Sequence, residues 1–317
     1  MCIRDRHGTA EAQDRKWLSP LVEEVTIEDR DGLLFGSPGG LRASPRGGFV
    51  LYDWGDASFR EFSASGDLVW ETGGRGEGPG EFARPLDYEF DADGNLMVMD
   101  ESNVRLTVLD PNGDVVATDR VESARQILPT GFVPDGWAVM PNLERDSLWV
   151  SRGGPPRSVL SPFGDLVPIV AESWAANLKS GGVVVVYRWS SHIVWLRPDG
   201  SIRGVTQAVE SIPFPEPVWL NETVPGVGRF RGTKVDPNAI ELTQSQPAYD
   251  SERIYMRALG RTEHSRKVVD TYAIATGDYL GSYRLPHAVS SIAVLEDGRL
   301  VTLEVNLIPT VRIWRIE

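Results

Sequence analysis

The chain has 317 residues, and its 32 basic and 45 acidic side chains give a formal net charge of −13. This acidity disfavours a broad nucleic-acid or anionic-membrane partner, because such binding depends on Lys and Arg that neutralise phosphates. The single cysteine, Cys2, excludes a disulfide framework, and no apolar run approaches the about 20 residues that span a bilayer.

The N-terminus has the pattern of a leader. The first six residues resemble translated sequencing adaptor, and Ala10-Glu11-Ala12 matches the end of a signal peptide. We therefore predict that residues 1–20 are a leader, disordered or partly non-native, and that residues 21–317 form one domain. On this interpretation the mature protein begins near Gln13 and is periplasmic or extracellular.

Turn signals then recur in pairs along the chain. Each early turn is followed by a later glycine turn, and a sixth early turn, Gly298, stands alone before the end. The pairs are Gly48 with Gly66, Gly94 with Gly113, Gly136 with Gly164, Gly181 with Gly200, and Ser251 with Gly277. A repeat of this length filled with β-prone residues indicates a radial or solenoid array of six small sheets.

The second repeat is the most regular. Residues 86–91, 95–99, 104–109 and 114–118 are short β-prone runs separated by turn residues, which predicts a four-stranded antiparallel meander with strands a, b, c and d. Asp93-Gly94 and Asn112-Gly113 are typical of tight hairpins, because these residues tolerate positive φ. The first repeat has β-prone runs for strands b, c and d, the fourth, fifth and sixth repeats have three such runs each, and the third is less regular, with runs at 137–140 and 158–160.

The sixth repeat ends before its outer strand. Residues 21–27 are the spare β-prone run, and we predict that they pair with the last repeat and close the ring. Closure removes the exposed sheet edges that an open ring would leave.

Residues 74–116 resemble the NHL repeat of six-bladed β-propellers. The resemblance rests on the run from Gly78 to Phe82, the Asp93-Gly94 turn, Asp100 at the end of strand b, Asn103 and Arg105, and the Asn112-Gly113 turn. It implies an all-β fold of six four-stranded antiparallel blades around a central channel that is lined by the a strands. In that family the wide face of the channel usually binds the ligand or partner.

The meander also predicts which loops share a face. The b–c and d–a connections lie at one end of the ring, and the a–b and c–d hairpins lie at the other. The long loops fall on the first end, where we expect function. Asp87, Asn177 and Glu241 are predicted to start a strands near that end, either as ligand or calcium-binding groups, as in the propeller lactonases that this arrangement resembles, or as ordinary channel-wall polarity.

Three histidines are predicted to fall on the same long-loop face. His192, His264 and His287 lie in connections of adjacent blades, and three imidazoles with an open position are able to hold zinc. The arrangement resembles that of the peptide-amidating lyases, which use a histidine-bound zinc in the channel. The alternative is that these are surface histidines without a metal.

Residues 212–238 form an insertion with five prolines, which predicts an irregular, stiffened loop on the same face. Arg229 and Arg231 are candidate ligands for an anion over the channel. The alternative is a lid that Phe214 and Trp219 pack against a blade edge.

Two pairs, Asp53 with Arg60 and Asp100 with Arg105, are predicted to be ion pairs that clasp the b–c loops. The sequence thus favours a non-catalytic, monomeric module that binds a protein or small ligand, without nucleic acid. The alternative is a hydrolase or lyase assisted by zinc or calcium at the channel mouth. Apart from the three histidines and the channel acids, no spacing of residues indicates a catalytic dyad, a catalytic triad or a metal site.

Overall fold

A computed structural model of the protein describes residues 15–29, 33–91, 93–120, 137–141, 147–152, 157–160, 173–179, 181–224, 228–243, 245–259, 264–304 and 306–317. In these ranges the regular elements are 25 β-strands, and no helix occurs. None of these residues therefore forms a helix able to cross a membrane. The predicted all-β class is confirmed.

The described strands include five four-stranded antiparallel sheets, numbered here by their order in the chain. The first contains β2 (Pro38–Ala43), β3 (Phe49–Asp53), β4 (Ser58–Phe62) and β5 (Leu68–Gly73). The second contains β6 (Pro85–Phe90), β7 (Leu96–Asp100), β8 (Arg105–Leu109) and β9 (Val115–Arg120). In each, consecutive strands are neighbours, as the meander predicts.

The remaining four-stranded sheets lie in the second half of the chain. The fourth contains β13 (Ser173–Asn177), β14 (Val183–Tyr187), β15 (His192–Leu196) and β16 (Ile202–Gln207). The fifth contains β19 (Ala248–Tyr249), β20 (Arg253–Arg257), β21 (Val268–Ala273) and β22 (Tyr279–Arg284). The last contains β23 (Ser291–Val294), β24 (Leu300–Glu304), β25 (Thr310–Arg315) and β1 (Val22–Ile27).

Two smaller sheets complete the described strands. The third sheet has β10 (Trp137–Pro141), β11 (Ser147–Arg152) and β12 (Arg157–Leu160). A two-stranded hairpin has β17 (Pro217–Val224) and β18 (Gly228–Val235). Strand β11 has no counterpart among the predicted strands, and the turns predicted at Gly136 and Gly164 lie outside the described residues.

Most of the described hairpin turns share one geometry, which differs in detail from the predicted two-residue hairpin. The Asp110 N–H donates to the Asp114 carbonyl at 2.8 Å, and the Gly113 N–H donates to the Asp110 carbonyl at 2.9 Å, so the loop has three residues. Gly113 has φ +85°, which is the left-handed residue that such a loop requires. The Asp110 carboxylate accepts the N–H groups of Asn112 and Asp114. In the first a–b turn Gly47, rather than the predicted Gly48, takes this conformation.

The core lies between the sheets. Apolar side chains that alternate along each b strand face opposite neighbours, so that Val50 packs toward the second sheet and Leu51 toward the last. Further clusters join the last sheet to the fifth and the fifth to the fourth. These five sheets therefore pack in the order second, first, last, fifth, fourth.

The N-terminal segment is part of the fold. Strand β1 pairs antiparallel with β25, from Val22 opposite Arg315 to Ile27 opposite Val311. The predicted partner of residues 21–27 is therefore confirmed. Residues 15–18, which fall within the predicted leader, contact the fifth sheet, with Trp17 bridged to Ser282.

Candidate functional site

A cavity of about 380 Å³ lies in the channel between the a strands. Its walls come from the C-terminal ends of β2, β6, β19 and β23 and from the turns that follow them. The cavity therefore lies at the a–b turn end. This is the opposite end from the long loops, where function was expected.

Two β-bulges position the polar side chains of this channel. The register of β2 shifts between Gly39 and Leu41, and that of β6 shifts between Pro85 and Asp87. Gly40 has φ +75°, and a Cβ there would lie 2.6 Å from the Tyr88 hydroxyl. Bulges re-aim the residues that follow them. Asp87 comes directly after a bulge and Arg42 follows one residue further on, and the two side chains meet across the first and second sheets.

Arg42 is the central cation of the cavity. Its Nη2 donates to Asp87 Oδ1 at 2.9 Å, its Nε lies 3.6 Å from Glu89 Oε2, and its guanidinium lies 5.0 Å from the centre of the Tyr88 ring. Burial acts to lower the pKa of Arg42, but the negative charges of Asp87 and Glu89 outweigh burial and raise it. Arg42 is therefore charged and held in place.

Gln246 closes the floor of the cavity from another sheet. It precedes β19, is buried, and donates from Nε2 to Asp87 Oδ2 at 3.1 Å. Asp87 thus accepts hydrogen bonds from both an arginine and an amide. A carboxylate held in this way stays oriented, because each oxygen has its own donor.

Glu89 is the most perturbed acid of the site. Burial raises the pKa of Glu89 to about 7, although the charge of Arg42 acts in the opposite direction. Glu89 is therefore able to gain or lose a proton near neutral pH.

The mouth of the cavity is acidic and is bridged by one ion pair. Lys179 Nζ lies 3.4 Å from Glu296 Oε1, and the two side chains are 60% and 50% exposed. Asp91 and Asp250 also line the mouth, where their Oδ1 atoms accept turn N–H groups. Four carboxylates thus face two cations among the described residues that line the cavity.

The predicted channel acids and amides are only partly brought together. Asp87 lies on β6 beside the cavity, where it bonds to the cavity residues Arg42 and Gln246. Asn177 is the last residue of β13, opposite Val183, so it sits at the a–b turn end and not at the predicted long-loop end. Glu241 precedes β19 in the crossing between sheets and forms an ion pair with Arg188 at 2.7 Å. The prediction misplaced Asn177 because strand β13 ends at the residue where it was expected to begin.

The three predicted zinc ligands do not form a metal group. Within the described ranges no cluster of three His, Cys, Asp or Glu side chains is arranged to hold a metal ion. The His192 ring stacks on Phe214 at 5.1 Å, the His264 ring contacts Trp17 at 5.2 Å, and His287 is exposed.

The insertion at residues 212–238 is not irregular throughout, because β17 and β18 pair from Pro217 with Val235 to Val224 with Gly228. Pro217 is compatible with this pairing because it begins a strand, and Pro213, Pro215 and Pro237 lie outside both strands. Arg229 and Arg231 lie in β18, opposite Thr223 and Asn221. Phe214 packs edge-on to Tyr187, as the lid alternative expects, whereas Trp219 is 72% exposed.

One of the two predicted loop clasps is present. Arg60 donates to Asp53 at 2.9 Å. Arg105 instead donates to the carbonyls of Glu77 and Glu81, although it lies directly opposite Asp100 in the strand register.

Both aspartates anchor the connection that precedes strand a. Asp53 accepts the N–H groups of Gly36 and Ser37, and Asp100 accepts those of Ala83 and Arg84. These buried carboxylates are structural, because they satisfy backbone donors of the crossing segments.

Arg42, Glu89 and Gln246 were missed by reasoning from the sequence. The first repeat was assigned no strand a, so Arg42 had no place in the channel. Arg42 and Asp87 each stand two positions after a glycine or proline, Gly40 and Pro85, and this spacing at a bulge is the signal that could have marked Arg42.

Comparison with solved structures finds β-propellers that match nearly the whole chain. A member of the DUF4221 family from Bacteroides vulgatus has 10% identity and a TM-score of 0.58, over 94% of this chain and 98% of that one. A candidate exported protein from Bacteroides fragilis has 11% identity and a TM-score of 0.57, over 94% of each chain.

A third similar structure is virginiamycin B lyase from Staphylococcus aureus, with 12% identity and a TM-score of 0.50, over 92% of this chain and 99% of that one. No protein-family profile matches the sequence, and no curated protein matches it either. At these identities the likeness concerns the fold alone. The chain is a β-propeller built from four-stranded antiparallel blades.

Proposed function

We propose that this protein is a six-bladed, NHL-like β-propeller that acts as a non-catalytic binding module. The third sheet supports the count of six, because it lies in the chain between the second and fourth sheets, where one blade is required. The pairing of β1 with β25 supports closure of the ring by the N-terminal strand. The likeness to a candidate exported protein supports a location outside the cytoplasm.

The proposed binding site is the cavity at the a–b turns, and the proposed ligand carries ammonium or guanidinium groups. The observation that carries this proposal is the excess of four carboxylates over two cations on the described wall. Both cations already have partners, since Arg42 bonds to Asp87 and Lys179 lies beside Glu296. A cation that enters the cavity therefore contacts carboxylate oxygens that the cations of the cavity wall do not neutralise.

A binding role is favoured over a catalytic one by the composition of this wall. Neither His nor Cys occurs among the described residues that line it, so the usual pairing of a nucleophile with an imidazole base is missing there. The polar groups converge on a partly apolar cavity, as is typical of ligand sites.

Calorimetric titration with spermidine, and with triethylene glycol as a neutral probe, tests the proposal. We expect spermidine to bind and the glycol not to bind. Glu89→Gln and Glu296→Gln should each weaken spermidine binding about tenfold, as the loss of a charged contact does, and exposed Glu77→Gln should not. Spermidine affinity should also rise as the pH rises through about 7, because Glu89 then ionises. Equal binding of both probes, or unchanged affinity in both cavity variants, would reject the cationic ligand.

The second candidate function is a metal-assisted hydrolase or lyase, and it is kept because one structure of similar fold, virginiamycin B lyase, is by its name an enzyme. Elemental analysis of the purified protein separates it from the first. Stoichiometric zinc or calcium in the purified protein would support the enzyme, and a metal-free protein that binds spermidine would support the binding module.

A further inference from the structure

The N-terminal arm, defined here as residues 15–18, lies along the outer edge of the fifth sheet. Trp17 and Ser282 form a parallel bridge. The Ser282 N–H donates to the Lys16 carbonyl at 2.8 Å, and the Leu18 N–H donates to the Ser282 carbonyl at 3.0 Å. The Lys16 N–H donates to the Tyr279 hydroxyl at 3.2 Å. The arm thus adds a short extended segment to β22, in the manner of peptides that bind to a sheet edge.

Arg15 enters a buried acidic pocket at one end of this arm. Its guanidinium donates to the carboxylates of Asp270 and Glu210, and Asp270 also accepts the Ser282 hydroxyl. The side chain of Arg15 is only 9% exposed and that of Asp270 only 2%. Burial raises the pKa of Asp270, while the charge of Arg15 acts to lower it. The pocket therefore binds a charged arginine side chain away from solvent.

The next side chains of the arm have contacts of their own. The Trp17 ring lies 4.4 Å from the Arg284 guanidinium and 5.2 Å from the His264 ring. Leu18 packs on the cluster between the fifth and last sheets. A Cβ on Gly281 would lie 2.6 Å from Leu18 Cδ2, so the absence of a side chain at Gly281 makes room for the leucine. Backbone bonds with separate positions for successive side chains are the elements of sequence-selective peptide binding.

The groups that contact the arm lie in β21 and β22, except Glu210 and His264 in connecting loops, and the arm is joined to the rest of the chain only through residues 19–21. Removal of the arm would leave the carboxylates of Asp270 and Glu210 without their cation. Two buried carboxylates without a neutralising charge are unfavourable, so the pocket should bind another cation. We propose that the edge of β22 is a binding site for an extended peptide with an arginine followed three positions later by leucine, and that the arm occupies it in cis. A segment of a protein partner with this pattern would compete with the arm.

Fluorescence anisotropy with a labelled peptide of residues 15–19, acetyl-RKWLS-amide, tests this inference. We expect the chain that lacks residues 1–19 to bind it at least about tenfold more tightly than the full chain, in which the arm competes. The peptide AKWLS should bind about tenfold more weakly or worse, because the charged contacts are lost. Equal affinities for the two chains, or for the two peptides, would overturn the proposal.

A second measurement uses the full chain and does not require the shortened one to fold. Arg15→Ala should lower Tm, and RKWLS should raise Tm of this variant but not of the wild type. AKWLS should have no effect on either. The matched control is Arg84→Ala, which removes an exposed arginine that pairs with Glu101, and the peptide should leave its Tm unchanged. Failure of RKWLS to raise Tm of Arg15→Ala would also overturn the proposal.

Discussion

The Gln246 amide donates a 3.1 Å hydrogen bond to the Asp87 carboxylate, and the two residues come from sheets that are not neighbours. Asp87 belongs to the second sheet and Gln246 precedes the fifth, while the first and last sheets pack between them. The bond therefore crosses the channel. It fixes the floor of the cavity because it links the second and fifth sheets, which do not pack against each other.

The first prediction concerns the charge of Asp87. Asp87→Asn keeps the shape of the side chain but leaves Arg42 and its positive charge with a neutral partner in a largely buried site. We expect a loss of about 3 kcal/mol in the free energy of unfolding, measured by urea denaturation, because breaking a buried pair leaves an uncompensated charge. Asp93→Asn, in the exposed turn next to this strand, is the control and should change stability by less than about 0.5 kcal/mol. Equal effects would show that Asp87 carries no such charge pairing.

The second prediction is a pH dependence. Since the pKa of Glu89 is about 7 in the folded protein and 4.5 is its ordinary value, the folded state holds a proton between these values that the unfolded state has released. The contribution of Glu89 to stability therefore falls as pH rises from about 4.5 to 7, with a slope of about 1.4 kcal/mol per pH unit. Glu89→Gln should remove this slope and Glu77→Gln should keep it, as measured by Tm from pH 4.5 to 8. Identical profiles for both variants would contradict the buried position of Glu89.

The third prediction concerns the turn glycines. Gly113→Ala places a Cβ 2.8 Å from the Trp70 ring at φ +85°, and we expect a loss of about 2 kcal/mol in the free energy of unfolding. Gly204 lies in β16, where a Cβ meets nothing within 4 Å, and Gly204→Ala should be neutral or stabilise by about 0.5 kcal/mol. A loss in both variants would mean that the effect does not come from the turn.

The fourth prediction concerns the N-terminal strand. Deletion of residues 1–28 removes β1 and exposes the edge of β25, so we expect aggregation in size-exclusion chromatography. Deletion of residues 1–14 keeps both β1 and Arg15 and should give a monodisperse protein. A stable, monodisperse product of the longer deletion would refute the role of β1 in completing the last sheet.

The elements that could be predicted from the sequence depend on local chemistry. Gly94, Gly113 and Gly200 mark turns because only glycine takes positive φ there without strain, and the runs between them alternate in the way that strands require. The predicted bounds of the strands in the second repeat differ from the structure by a residue or two. The exchange of β1 into the last sheet followed from counting strands.

The candidate site could not be predicted in the same way. Arg42 and Asp87 meet because a bulge shifts each strand, and a shift of one residue moves a side chain to the other face. Gln246 reaches Asp87 from 159 positions away, and no local pattern announces such a contact. Arg105 shows the converse, since it lies opposite Asp100 in register and still donates to backbone carbonyls.

One continuous stretch of chain, from Arg15 to Ile27, first lies along β22, the outer strand of the fifth sheet, and then forms β1, the outer strand of the adjacent last sheet. Because the same segment is bound to both sheets, neither sheet edge can separate from the fold without breaking contacts of this segment. Local unfolding of outer strands should therefore begin in other sheets, and the amide protons of these two sheet edges should exchange with solvent together.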